Sequence, residues 1–88
     1  MIDRLLRRLA KEKLTGDDPT YESLNSDCLD KMEYDSNSTT LVLYFTDGSM
    51  YQYFGVDVDV AAELVHSGSH GEFFNDEIKD VYSYIKLI

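Results

Sequence analysis

Two histidines, His66 and His70, sit four positions apart. On one continuous helix that spacing would aim both imidazoles at a shared metal ion. Gly68 stands between them and is expected to break the helix. A zinc site would also need further Cys or His ligands, and Cys28 is the only cysteine. Two exposed histidines is the simpler reading. Asp57-x-Asp59 looks like the opening of a calcium loop, but the following Val-Ala-Ala-Glu lacks the glycine and the later ligands such a loop needs. Capping of a helix explains both acids. Hydroxyls are plentiful, yet there is no Gly-x-Ser-x-Gly elbow and no paired Cys/His arrangement. A glycine-rich phosphate loop is absent too. The carboxylates fall in turns and helix starts, with no pair poised to share a proton. The expectation is a chain without catalytic residues, metal or cofactor, and therefore not an enzyme.

The tyrosines remain. Tyr44, Tyr51, Tyr53, Tyr82 and Tyr84 can form a platform on which bases stack, or they can serve as core and rim of a sheet. The choice turns on one hairpin. Thr39 to Phe45 alternates, with Leu41, Leu43 and Phe45 on one face and Val42 and Tyr44 on the other. Asp47-Gly48 marks the turn, and residues 49–54 return as a Tyr-rich strand. A two-residue Asp47-Gly48 loop sets Tyr51 opposite Tyr44, away from the leucine face. A three-residue Thr46-Asp47-Gly48 loop with Gly48 left-handed pairs Leu43 with Tyr51 and Leu41 with Tyr53. The order Thr-Asp-Gly fits a type I turn plus a glycine bulge better, so both tyrosines are expected on the core face.

The surrounding elements follow from periodicity. Residues 2–14 read as an amphipathic helix, with Ile2, Leu5, Leu6 and Leu9 on its apolar face and basic residues on the other. Gly16 is the expected terminator, and residues 15–26 read as an acidic linker. Residues 28–34 are a weak strand candidate, and 35–38 a turn. Asp57 is expected to cap a helix running to about His66 through its side chain. Ser69 to Asn75 suits one further helical turn. Residues 78–88 alternate again and read as an extended tail that supplies an edge strand. The fold class is thus α+β. A three-stranded antiparallel meander over residues 28–54 carries this edge strand as a possible fourth and packs with one main helix. Leu41, Leu43, Phe45, Leu64 and Phe74 are the expected core. The division is residues 1–25, basic helix plus linker, and residues 26–88, the domain proper.

Composition bounds what such a chain does. Eighty-eight residues make one domain with one modest core. Net charge is −9, the wrong sign for general attraction to phosphate backbones. The charge is uneven: residues 1–13 hold five of the eight basic residues against two acids, and the rest holds three against fifteen. The lone cysteine suits a reducing compartment. Neither an apolar signal region nor a run of about 18 apolar residues occurs, so the expected location is cytoplasmic.

From Ser26 onward the chain resembles the KTSC domain, a small module named for the C-terminus of some lysyl-tRNA synthetases. The matching positions are Ser26, Leu29, Tyr34-Asp35, Thr40-Leu41, Phe45, Gly48 and Tyr51-Gln52-Tyr53. Gly55-Val56, Gly71, Phe73-Phe74-Asn75, Ile78-Lys79 and Tyr82-Ser83-Tyr84 complete them. The resemblance implies a compact unit of a short meander followed by a helix. It gives little of function; the binding candidates, all among the matching positions, are Tyr51, Tyr53, Phe73, Asn75, Lys79, Tyr82 and Tyr84. RNA binding is suggested for the family, partly from its synthetase association, which is an analogy at the level of fold. This sequence departs from that suggestion in charge. The expected function is a protein-interaction module with a protein partner or self-association, the face of Ile2, Leu5, Leu6 and Leu9 docking on its own sheet, pairing with another copy or lying in a partner's groove. The alternatives are single-stranded nucleic-acid binding through the tyrosines, and an acidic mimic of nucleic acid that occupies a basic protein groove.

Overall fold

The computed structural model describes residues 20–88. The basic helix expected at 2–14, its apolar face and the first part of the linker lie outside the described residues. The elements run β1 (Thr20–Ser23), β2 (Leu29–Asp35), β3 (Thr40–Phe45), β4 (Met50–Tyr53), α1 (Val58–His66), α2 (His70–Glu77) and β5 (Tyr84–Lys86). The strands form one antiparallel sheet in chain order, β1-β2-β3-β4-β5.

The fold class is α+β, with five strands among the described residues rather than three or four. The added strand is β1. Thr20–Ser23 falls in the expected linker, yet it pairs with β2 from Thr20↔Tyr34 to Ser23↔Lys31. Strand β2 is weakly marked in the sequence because a bulge interrupts it. Leu29 faces Phe45 while Lys31 faces Tyr44, so Asp30 is an extra residue. Leu29 and Met32 are then both buried at a spacing of three, which hides the strand's alternation. The bulge is tied down, since the Leu24 N–H donates to the Asp30 carbonyl at 2.8 Å.

The β3–β4 hairpin has the longer loop. Leu43 pairs with Tyr51 and Leu41 with Tyr53. The Phe45 N–H donates to the Ser49 carbonyl at 2.9 Å, and the Gly48 N–H to the Phe45 carbonyl at 3.0 Å. Gly48 has φ +91°, the left-handed geometry that closes a type I turn with a bulge. Asp47 Oδ1 accepts from the Ser49 N–H at 2.9 Å and from its hydroxyl at 2.6 Å. These bonds hold the Asp47 carboxyl below its ordinary pKa.

Helix α1 begins at Asp57, but not by the expected device. The Asp57 side chain makes no cap hydrogen bond. Its backbone carbonyl accepts from Val60 and Ala61 at 3.0 and 3.2 Å. Helix α2 is longer than the single turn expected, and Ser69 caps it by accepting from the Glu72 N–H. Both helices pack on one face of the sheet, where Met32, Tyr34, Leu41, Leu43 and Tyr53 meet Ala61, Ala62, Leu64, Phe74 and Ile78. Phe45, expected in the core, is only half-buried and packs at its edge. Residues 78–81 form a turn, so the extended tail narrows to β5.

Two bonds lock loops to this frame. The buried Tyr34 hydroxyl donates to the Val56 carbonyl at 2.6 Å, joining β2 to the approach to α1. His70 Nδ1 accepts from the Asn25 N–H at 2.8 Å, and its Nε2 lies 3.1 Å from the Val65 carbonyl. An accepting Nδ1 places the proton of the neutral ring on Nε2, which then donates to Val65. His66 ends α1 and His70 begins α2, so the pair does not share a helix.

Candidate functional site

The chemistry-bearing side chains gather at one end of the core, where β4 and β5 meet α2. Phe45, Tyr51, Tyr53, Tyr84 and Phe74 form a closed circuit of ring contacts. Centroid separations run Phe45–Tyr51 5.4 Å, Tyr51–Tyr84 5.8 Å, Tyr84–Tyr53 5.5 Å, Tyr53–Phe74 5.9 Å and Phe74–Phe45 5.5 Å. The contacts involving a phenylalanine are edge-to-face, at interplanar angles of 74–77°. That arrangement places positive ring edges on negative ring faces. Above the circuit opens a groove of about 300 Å³, whose lining adds Asp47, Ser49, Lys79 and Asp80 to the five rings.

Sheet register builds this wall. Tyr51 pairs with Lys86 and Tyr53 with Tyr84, so all four side chains stand on the helix-facing side. The rings differ in depth. Tyr53 is buried, Tyr51 half-buried and Tyr84 54% exposed. Burial, with the charges of Tyr84, Tyr51 and Asp80 adding, pushes the Tyr53 phenol up to about 12. Tyr53 is the buried floor of the groove, and Tyr84 is its most exposed ring. Lys86 Nζ lies 5.9 Å from the Tyr51 ring centroid, so Lys86 leans over the same wall.

Of the sequence candidates, the fold brings Tyr51, Tyr53, Lys79 and Tyr84 to the groove. It does not bring the others. Phe73 and Tyr82 are half-buried and pack against the main core, and Asn75 is exposed on α2. Sequence reasoning missed Phe45, Asp47, Ser49, Phe74 and Asp80 as site residues. Phe45 carried the signal: it ends the alternation of β3 next to the turn, so it had to fall at the core's margin.

A second, polar hollow is lined by Asn25, Ser26, Asp27, Cys28, Ser69, Gly71 and Glu72. Its hydroxyls serve the backbone. Ser26 Oγ accepts from the Cys28 and Leu29 N–H groups at 3.2 and 3.3 Å. Among the described residues, no three His, Cys, Asp or Glu side chains come together as a metal cluster would need. No helix among them is long and apolar enough to cross a membrane.

Comparison with known proteins places this geometry. The model of the KTSC domain family matches residues 25–82. The chain is 32% identical over 88 residues to a lysine–tRNA ligase of Trichormus variabilis and to one of Nostoc sp.. It is 30% identical to that of Nostoc punctiforme. Each alignment takes in 98% of this chain, including most of the basic head that the family model leaves out, but only 16% of the ligase. A solved structure of a KTSC domain protein from Yersinia pestis superposes with a TM-score of 0.73. It is 25% identical and covers 80% of this chain and 99% of its own.

Proposed function

The chain belongs to the KTSC domain family, and on that premise we propose that it is a protein-interaction module whose aromatic groove takes one large apolar side chain from a partner. The observation that supports this most is Tyr84, a large ring left 54% exposed at the lip of a groove floored by buried aromatic side chains. An apolar anchor entering there covers ring surface at about 25 cal/mol per Å² of area removed from water. Recognition sites are built this way, from a few aromatic residues around one pocket. The groove's own charges offset one another, Lys79 against Asp80 and Lys86 against Asp47. The wider molecule is acidic, with net charge −9. Its field favours a segment with basic residues flanking the anchor, chiefly by raising the rate of encounter.

A second reading rests on one observation. Lys79 and Lys86 are two of the three basic residues after position 13, and both border the groove. A nucleobase stacked on Tyr84 with a phosphate near these lysines would use that arrangement. Two lysines beside Asp47 and Asp80 provide little phosphate neutralisation, so protein recognition remains the preferred reading.

Two probes separate them. Selection of a random peptide library on the full chain is expected to enrich peptides with a single aromatic or large aliphatic anchor and basic flanks. Their binding should be lost in Tyr84→Ala. Polarisation of a labelled oligouridylate at about 200 mM salt is expected to show no binding. Tight oligouridylate binding that Tyr84→Ala abolishes, with no peptide enrichment, would reverse the assignment.

A further inference from the structure

The exposed apolar surface of the described residues concentrates at one edge of the sheet. Tyr84, Ile85, Leu87 and Ile88 are 54, 49, 42 and 68% exposed, and Val81 is 62% exposed beside them. The opposite edge, β1, is Thr-Tyr-Glu-Ser. Hydrogen-bond parity shows what β5 offers. The Phe54 N–H donates to the Ser83 carbonyl, and the Leu87 N–H donates to the Met50 carbonyl. With Gln52 opposite Ile85, the backbone groups of Ser83, Ile85 and Leu87 face β4. Those of Tyr84 and Lys86 therefore point away from the sheet. An apolar edge with free donors and acceptors is a template for another strand.

We propose that this edge pairs with the same edge of a second copy, β5 against β5, antiparallel about a two-fold axis through Ile85. The sequence of the strand is complementary to itself in that register. Tyr84 of each copy stands opposite Lys86 of the other, and these are the residues whose backbone groups are free, so each pair exchanges two N–H···O bonds. Lysine over a tyrosine ring is a contact this chain already makes, at 4.7 Å for Lys31 and Tyr44 and 5.9 Å for Lys86 and Tyr51. On the other face Ile85 meets Ile85, flanked by both copies of Leu87. The alternative register that sets Lys86 against Lys86 places like charges in opposition and is disfavoured. Two strongly acidic bodies repel, yet Lys79 and Lys86 both lie beside this edge, where they offset that repulsion best. The interface is isologous and closes as a dimer. It joins two sheets into one and sets both aromatic grooves on the same side. It stands on the geometry of the edge and holds whichever ligand the groove takes.

Sedimentation equilibrium of the full chain tests it. A monomer–dimer equilibrium is expected, tightening as salt rises from about 20 to 500 mM because the acidic bodies are screened. Lys86→Pro removes an outward N–H that β4 does not use, a position where an edge strand tolerates proline. It should weaken the dimer at least tenfold while leaving the melting temperature near that of the parent. Ile85→Asp attacks the same seam through a side chain, and carries the test if the proline variant does not fold. A chain that stays monomeric at about 0.5 mM overturns the proposal. A dimer that survives both substitutions overturns it equally, because the copies are then joined elsewhere.

Discussion

Tyr34→Phe removes one oxygen from the centre of the molecule and tests the logic of its core. The Tyr34 hydroxyl donates to the Val56 carbonyl at 2.6 Å in a fully buried setting. Losing the donor strands a buried acceptor, which costs about 1–3 kcal/mol. In a domain of this size each kcal/mol moves the melting temperature by about 4–8 °C, so a drop of roughly 4–24 °C is expected at neutral pH. The same burial, with the charges of Asp57, Asp35 and Asp59 adding, raises the Tyr34 phenol to about 12 from its ordinary 10.0. The sign of the linkage follows. Below pH 10 the phenol is neutral in both states and its stabilising contribution is complete. Between about 10 and 12 the unfolded chain has released the proton while the folded chain keeps it, so stability falls by about 1.4 kcal/mol per pH unit from this group. Phenylalanine has no such dependence. Urea unfolding of parent and variant at neutral pH and at intervals between pH 9.5 and about 12 should therefore show a gap that is constant to about pH 10 and then narrows. Other tyrosines cancel in the difference. A variant as stable as the parent at pH 7, or a gap that stays constant through about pH 11.5, would refute the reasoning.

Three further outcomes are expected. Gly48→Ala meets no neighbour within 4 Å, so its cost comes from φ +91° alone; about 1 kcal/mol or more should be lost in thermal melting. His70→Ala severs Asn25 from α2 and frees the Val65 carbonyl. It should cost about 1–2 kcal/mol, and amide exchange at Asn25 should accelerate. Removing residues 1–13 should leave one cooperative calorimetric transition. Removing residues 1–23 also deletes β1 and its pairing with β2, and should lower or broaden that transition.

The parts of the fold that the sequence made legible are those where one local rule acts alone. Thr39–Phe45 alternates without interruption, and Thr46-Asp47-Gly48 carries turn chemistry that selects one register. From these alone Tyr51 and Tyr53 could be put on the leucine face, where they stand. Legibility failed where two rules overlapped. The bulge at Asp30 converts a period of two into a spacing of three between Leu29 and Met32, which is the spacing of a helix face. Thr20–Ser23 holds one large apolar residue, Tyr21, and it is 60% exposed. Its strand character comes from pairing with β2, a long-range bond pattern that leaves no trace in composition. The site shows the same division. Its tyrosines could be named from the chain, but the choice between stacking platform and core had no single answer, because the fold uses them as a graded series. Tyr53 is floor, Tyr51 is wall and Tyr84 is lip. The gradation runs across two strands: Tyr53 of β4 is buried, Tyr51 of the same strand is half-buried, and Tyr84, the one ring of β5, is 54% exposed. A pocket at the margin of a core needs that position: one strand further in, the rings would be packing, and one strand further out, they would have no floor. The groove thus follows from how β5 and α2 set Tyr84 and Phe74 around the tyrosines of β4, a tertiary fact to which residue type contributes only the aromatic rings.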